Sequence, residues 1–117
     1  NQREYIEEKT GNIIAAGVRF TNEIKIGNFG IYNLNCTIGH DCVIQDYVNI
    51  CPGANISGNV TILKESFIGT NACIINGQSS TCRITVGENA IVAAGAVIIR
   101  DVPDGATVMG VPAKVVK

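Results

Sequence analysis

Tryptophan is absent from this chain of 117 residues, and only three Tyr and three Phe are present. A core built on large rings is therefore not expected. Histidine occurs once, as His40, so one chain cannot supply a three-histidine zinc site. No run of Lys or Arg occurs and the formal net charge is -1, which argues against a nucleic-acid partner. No apolar run approaches the ~18 to 20 residues of a membrane span. The opening NQREYIEEKT has no signal-peptide hydrophobic region. The expectation is a soluble, cytoplasmic, single-domain protein with no membrane partner. Because position 1 is Asn, the chain is also expected to be processed or truncated, with an upstream part missing. The five cysteines are odd in number and contain no C-x-x-C pair, so neither a zinc site nor a disulfide framework is expected.

What the chain does have is Ile, Val, Ala, Gly and a period. Counting by six from Ile14 gives Ile14, Phe20, Ile26, Tyr32, Ile38, Ile44, Ile50, Ile56, Ile62, Ile68, Ile74, Ser80, Val86, Val92 and Ile98. Twelve of these fifteen are Ile or Val, so six is the repeat. Six is not a helical period. It suits short extended segments joined by tight bends, one inward Ile per segment and a bend eased by Gly. Three such sides close a coil of eighteen residues, and coils stack in parallel at ~4.8 Å with the marker side chains forming an internal ladder. Large aromatics are not expected to fit that ladder. Residues Ile14 to Pro103 give five coils. Cys36 and Cys42 share a phase with Val18, Val48, Ala54, Val60 and Ala90 and read as small buried reduced thiols.

Residues 1–10 read as a polar lead-in and residues 11–103 as the coiled domain. Residues 74–85 keep the count but fill it poorly, with Asn76-Gly77 as a turn pair, so a looser coil or small protruding loop is expected. Beyond Asp101 the count breaks at Pro103, Gly105, Gly110 and Pro112, and residues 104–117 read as an extended tail covering one end of the stack.

Two residues after each marker the side chains are mostly polar or turn-forming, and His40 falls in this phase, on an outward corner with Asp41 beside it. On the residues alone, His40 is a solvated residue on a bend or a base. The strings HDCVIQDYVNICPGA, IGTNACI, GENAIVAAGAV and DVPDGATVMGVPAKVV resemble the hexapeptide-repeat acetyltransferases that modify sugars. That branch contains sialic acid O-acetyltransferases and UDP-4-amino-sugar N-acetyltransferases. The resemblance covers almost the whole chain. It implies an all-β left-handed parallel β-helix, a winding that the period does not give. It also implies acetyl-CoA as co-substrate, no metal, and a homotrimer with its active sites between subunits.

Residue by residue, the resemblance implies that His40 is the general base and Asp41 its acidic partner. An imidazole accepts a proton from an attacking amine or hydroxyl near neutral pH, and a carboxylate neighbour orients it and stabilises the imidazolium. Asn33 and Gly58 would contact the acceptor sugar, and Asn49, Thr70 and Ala94 acetyl-CoA. Asn49 stands where many relatives have a second histidine. Arg100, Lys114 and Lys117 are candidates for the cofactor phosphates or are solubilising charge. Cys51 and Ser57 lie near His40 without a paired base and read as structural.

Two rivals on this fold fail on the residues. A gamma-type carbonic anhydrase takes three histidines drawn from two chains. An ice-binding face shows a regular Thr ladder, whereas Thr21, Thr37, Thr61, Thr70 and Thr85 share no single phase. A non-catalytic scaffold or oligomerisation module stays open. The family's upstream nucleotide-binding domain is expected to be missing from this chain, and neither the sugar nor the choice of O- or N-acetylation is legible.

Overall fold

Each hexad divides into two inward side chains, one outward side chain between them, and a three-residue corner. The structure, a computed structural model, describes residues 6–117. The markers Ile38, Ile44, Ile50 and Ile56 are buried, and so are Cys36, Cys42, Val48 and Ala54 two residues before them, as the pleat of a strand requires. The last corner residue has positive φ: Glu23, Phe29, Asn35, Asp41, Tyr47, Gly53, Asn59, Glu65 and Asn71 recur every six positions at φ 56 to 73°. That left-handed residue turns the chain from one side of the triangle to the next.

The coils follow in chain order. The first contains β1 (Ile6–Glu8), β2 (Ile13–Ile14) and β3 (Arg19–Phe20), and the second β4 (Ile24–Ile26), β5 (Ile31–Tyr32) and β6 (Thr37–Ile38). The third has β7 (Val43–Ile44), β8 (Asn49–Ile50) and β9 (Asn55–Ile56), and the fourth β10 (Val60–Ile62), β11 (Phe67–Ile68) and β12 (Cys73–Ile74). The fifth has β13 (Ile84–Val86), β14 (Ile91–Val92) and β15 (Val97–Ile98), and β16 (Thr107–Gly110) and β17 (Ala113–Val115) end the chain.

Three sheets result. Sheet A is β1-β4-β7-β10-β13, sheet B runs from β2 through β5, β8, β11 and β14 to β16 and β17, and sheet C is β3-β6-β9-β12-β15. Pairing is parallel with an offset of eighteen residues, as in Ile13↔Ile31 and Thr37↔Asn55. The arrangement fits a left-handed parallel β-helix, with five coils and the start of a sixth at the Val86↔Val102 bridge and β16. Fully burying each ladder Ile or Val is worth ~1.5 to 3 kcal/mol. Ser66, the one buried polar residue among those described, donates its hydroxyl to the Leu63 or Gly87 carbonyl at 2.7 Å.

Four features depart from or refine the sequence reading. The ladder does admit an aromatic: Tyr32 is fully buried, with Phe20 edge-on to it at 5.4 Å, because Gly30 leaves room where a Cβ would sit 3.0 Å from the ring. Between the fourth and fifth coils the offset is 24 residues, Phe67↔Ile91 and Cys73↔Val97. Residues 76–83 are thus a protruding loop, closed by a Ser79↔Cys82 bridge. The first rung, β1, begins inside the segment read as lead-in, whose residues 1–5 lie outside the described residues. Residues 104–117 do not leave the stack: β16 pairs in parallel with β14 and β17 folds back antiparallel on β16.

Candidate active site

His40 and Asp41 are the two tip residues of the corner between β6 and β7, on the edge where sheet C meets sheet A. Asp41 holds the left-handed position at φ 59°, which an aspartate tolerates better than most residues. Its N–H donates to the Asn22 carbonyl at 3.0 Å, and the His40 carbonyl accepts from Asn59 N–H at 2.9 Å. The corner is therefore held by the rungs on both sides. The imidazole Nδ1 lies 2.9 Å from Asp41 Oδ2, with the two side chains 59% and 48% exposed. A carboxylate only accepts, so Nδ1 carries the proton at this contact, and in the neutral ring Nε2 keeps its lone pair.

Gly58 sits directly against the ring on the next coil. A Cβ there would lie 2.3 Å from Nε2 and 2.5 Å from Cε1, so glycine is what allows the imidazole its place. Gly39 does the same for the backbone, since its Cβ would meet Gly58 N at 2.7 Å.

The other expected site residues lie at the opposite end of sheet C, at or beside the B/C edge. Asn33 Nδ2 donates to Asn49 Oδ1 at 3.3 Å and to the Ile50 carbonyl at 3.0 Å, so the expected acceptor and cofactor residues are bonded to each other. Thr70 and Ala94 are corner residues on successive coils of that edge, where the Thr70 carbonyl accepts from Gly95 N–H at 2.9 Å. Gly69 lets those two rungs approach, because its Cβ would be 2.6 Å from Ala94 N. Within one chain, His40, Asp41 and Gly58 thus form one group and Asn33, Asn49, Thr70 and Ala94 another, a side of the triangle apart.

Arg100 and Lys114 come together at the wall of a cavity of about 300 Å³ at the C-terminal end, which Ile98, Val108 and Pro112 also line. Lys117 is elsewhere, its carbonyl accepting from Thr107 N–H. Burial pushes the Cys51 thiol upward, against a smaller lowering from a hydrogen bond with Thr70, which is the wrong direction for a nucleophile. Cys36 is pushed up to about 11 by burial, and burial likewise raises Cys42, whose Sγ–H donates to the Ser57 carbonyl at 3.1 Å. Among the described residues no three metal-ligating side chains come together.

One residue was missed. Arg83, from the protruding loop, donates through Nη2 to the Asp41 carbonyl and, at 3.2 Å, to that of Val60, and through Nε to Thr61 Oγ1 at 2.8 Å. The sequence signalled its loop, through the Asn76-Gly77 turn pair and Ser80 in a marker position, but not its contact with Asp41.

The chain matches no protein-family profile. Among curated proteins, GDP-perosamine N-acetyltransferase of Escherichia coli is 39% identical over 108 residues, covering 92% of this chain and 48% of that protein. Among solved structures, WeeI of Acinetobacter baumannii superposes with a TM-score of 0.89 at 38% identity, over 95% of this chain and 54% of that one. Perosamine N-acetyltransferase of Caulobacter crescentus, solved with CoA and GDP-perosamine, gives 0.80 at 28% identity, over 96% and 53%. The chain spans about half the length of these relatives. By repeat, fold and homology, the chain belongs to the hexapeptide-repeat acetyltransferases, in the branch that contains the amino-sugar N-acetyltransferases.

Proposed function

We propose that this chain carries the catalytic domain of an acetyltransferase moving the acetyl group of acetyl-CoA to an amine or hydroxyl of a nucleotide-linked sugar. The observation that carries the reading is the His40–Asp41 pair at an exposed corner, with Nδ1 committed to the carboxylate and Nε2 uncommitted over Gly58. A complex of the Caulobacter crescentus relative with CoA and GDP-perosamine, captured with a histidine replaced by asparagine, supports it.

His40 Nε2 takes the proton of the acceptor amine or hydroxyl as the acceptor's N–C or O–C bond forms at the thioester carbonyl. Asp41 stabilises the imidazolium, and His40 returns the proton to the departing CoA sulfur as the C–S bond breaks. The acetyl group passes directly to the acceptor in a ternary complex, and the raised thiol of Cys51 fits that absence of an acyl-enzyme. Asn33 and the Gly58 backbone are proposed to meet the acceptor, and Asn49, Thr70 and Ala94 acetyl-CoA.

The split between two edges supports a homotrimer in which one chain's B/C edge faces the next chain's His40. So does the outer face of sheet B, where Ile13, Ile31, Phe67 and Ile91 align in register and are 62%, 37%, 39% and 44% exposed. Five free thiols, together with acetyl-CoA as co-substrate, support a cytoplasmic setting. Among the described residues no helix is long and apolar enough to cross a membrane.

The test is thiol release from acetyl-CoA against GDP- and UDP-linked amino sugars and sialic acids, with His40→Ala in parallel. The reading expects turnover with at least one acceptor and a loss of about 10² to 10⁴-fold in the variant. Equal rates for the two proteins would reduce His40 to a corner residue. Acetyl-CoA binding without turnover on any acceptor would favour a truncated enzyme or an untested acceptor, and no acetyl-CoA binding at all would favour the scaffold. Phe67→Glu with Ile31→Glu should give a folded, inactive monomer by sedimentation and assay, and an active monomer would refute the intersubunit site.

A further inference from the structure

We propose that Arg83, delivered by the extra hexad of the fourth coil, is a positioning residue for the His40–Asp41 pair. The proposal rests on the reading of His40 as the base. The C/A edge is a stack of corners, His40-Asp41, Gly58-Asn59 and Asn76-Gly77, linked by Asn59 N–H to the His40 carbonyl and Gly77 N–H to the Gly58 carbonyl, each at 2.9 Å. The loop leaves this stack at Gly77 and rejoins it at Ile84, whose N–H donates to the Asn59 carbonyl at 3.3 Å. From that return point Arg83 reaches back along the stack, past Val60 and Thr61, to the carbonyl of Asp41.

What Arg83 grips matters. It takes the main-chain oxygen of Asp41, while the carboxylate remains on His40. With the Asp41 N–H held by the Asn22 carbonyl, both peptide planes flanking its Cα are fixed, and so is the direction of the Cα–Cβ bond. A forked guanidinium anchored at the same time on Thr61 and Val60 restrains a carbonyl better than a single ammonium does. Arg83 therefore fixes where the carboxylate sits, the carboxylate fixes which nitrogen of His40 carries the proton, and Nε2 is kept free for the acceptor.

The single histidine makes this measurable without assignment. Imidazole ¹⁵N shifts of His40 in the full chain, at a pH where the ring is neutral, report its tautomer. Wild type should be dominated by the Nδ1–H form. Arg83→Gln should raise the Nε2–H fraction several-fold, as Asp41→Asn should, and add nothing further in the Asp41→Asn background. It should lower kcat about tenfold while KM for acetyl-CoA stays within about twofold. Arg83→Lys should fall between the two. Deleting residues 78–83, which restores the eighteen-residue offset, should reproduce Arg83→Gln and carries the test if that variant does not fold. A wild-type tautomer ratio in folded Arg83→Gln or in the deletion would overturn the proposal. The spectra need no turnover, so an inactive wild type would count against the acetyltransferase reading and leave the positioning test decided on its own.

Discussion

The A/B and C/A edges of the prism share one backbone device and put it to opposite uses. On the A/B edge the left-handed position holds Phe29 and, one coil on, Tyr47, whose rings stack at 5.6 Å with planes 18° apart. Gly11, at φ 80°, ends that ladder with room for the Phe29 ring. On the C/A edge the same position holds Asp41, and the residue before it is His40. Bulky side chains in the left-handed region cost ~1 to 2 kcal/mol each, and on the A/B edge the stack offsets this, so its side chains satisfy one another. On the C/A edge the two side chains satisfy each other at one nitrogen only. The lesson is that a repetitive scaffold shows its chemistry where a side chain retains an unused donor or acceptor, not where its backbone differs.

The comparison breaks most sharply at Gly58. Gly58→Ala should lower kcat about a hundredfold by displacing the imidazole, because Gly58 is not at positive φ and the substitution carries little backbone strain. Gly105→Ala is the contrast: φ is 71° and nothing lies within 4 Å. It should cost about 1 kcal/mol in denaturant unfolding and leave kcat unchanged. If both variants behave alike, the ring does not depend on the space Gly58 leaves.

Glycine at the left-handed positions separates the two edges directly. Asp41→Gly should keep or raise the denaturation midpoint, since φ 59° suits glycine, yet lower kcat at least tenfold. Phe29→Gly and Phe29→Ala should both lose the stack with Tyr47, about 0.5 to 1.5 kcal/mol, with glycine the milder by up to about 1 kcal/mol. An Asp41→Gly enzyme with full activity would erase the difference between the edges.

The thiols of the prism set a smaller, pH-dependent effect. Cys36, Cys42 and Cys51 all have thiols raised above the ordinary value of 9.0, chiefly by burial. Above that pH the unfolded chain loses these protons while the folded chain keeps them, so the folded state binds more and unfolding free energy falls as pH rises. Urea midpoints should be flat below pH 8 and decline from about pH 9, and Cys36→Ala with Cys42→Ala should flatten most of the decline. A midpoint that rises with pH in that window would contradict the sign.

The period of six was legible because marker and inward partner alternate across each short strand, as Cys42 and Ile44 do. Tyr32 was not, because the space it needs comes from Gly30 on its own rung and Phe20 on the coil below. The loop was legible only as one of two readings, a looser coil or a protruding loop, because an insertion of one hexad leaves every later marker in phase. The sixth rung was hidden for the reverse reason, since Ile91↔Thr107 is an offset of sixteen and the count loses it. His40 and Asp41 could be paired by reading because they are neighbours. Arg83 could not, because 42 residues separate it from the carbonyl it holds.

The most direct measurement is a crystal structure of this chain with coenzyme A and the acceptor identified by the thiol-release assay. The account predicts the acceptor amine or hydroxyl within hydrogen-bonding distance of His40 Nε2, and the CoA sulfur beside it in a groove whose other wall is a neighbouring chain's B/C edge. Coenzyme A seated away from every His40, or an acceptor whose reactive atom faces another side chain, would contradict it.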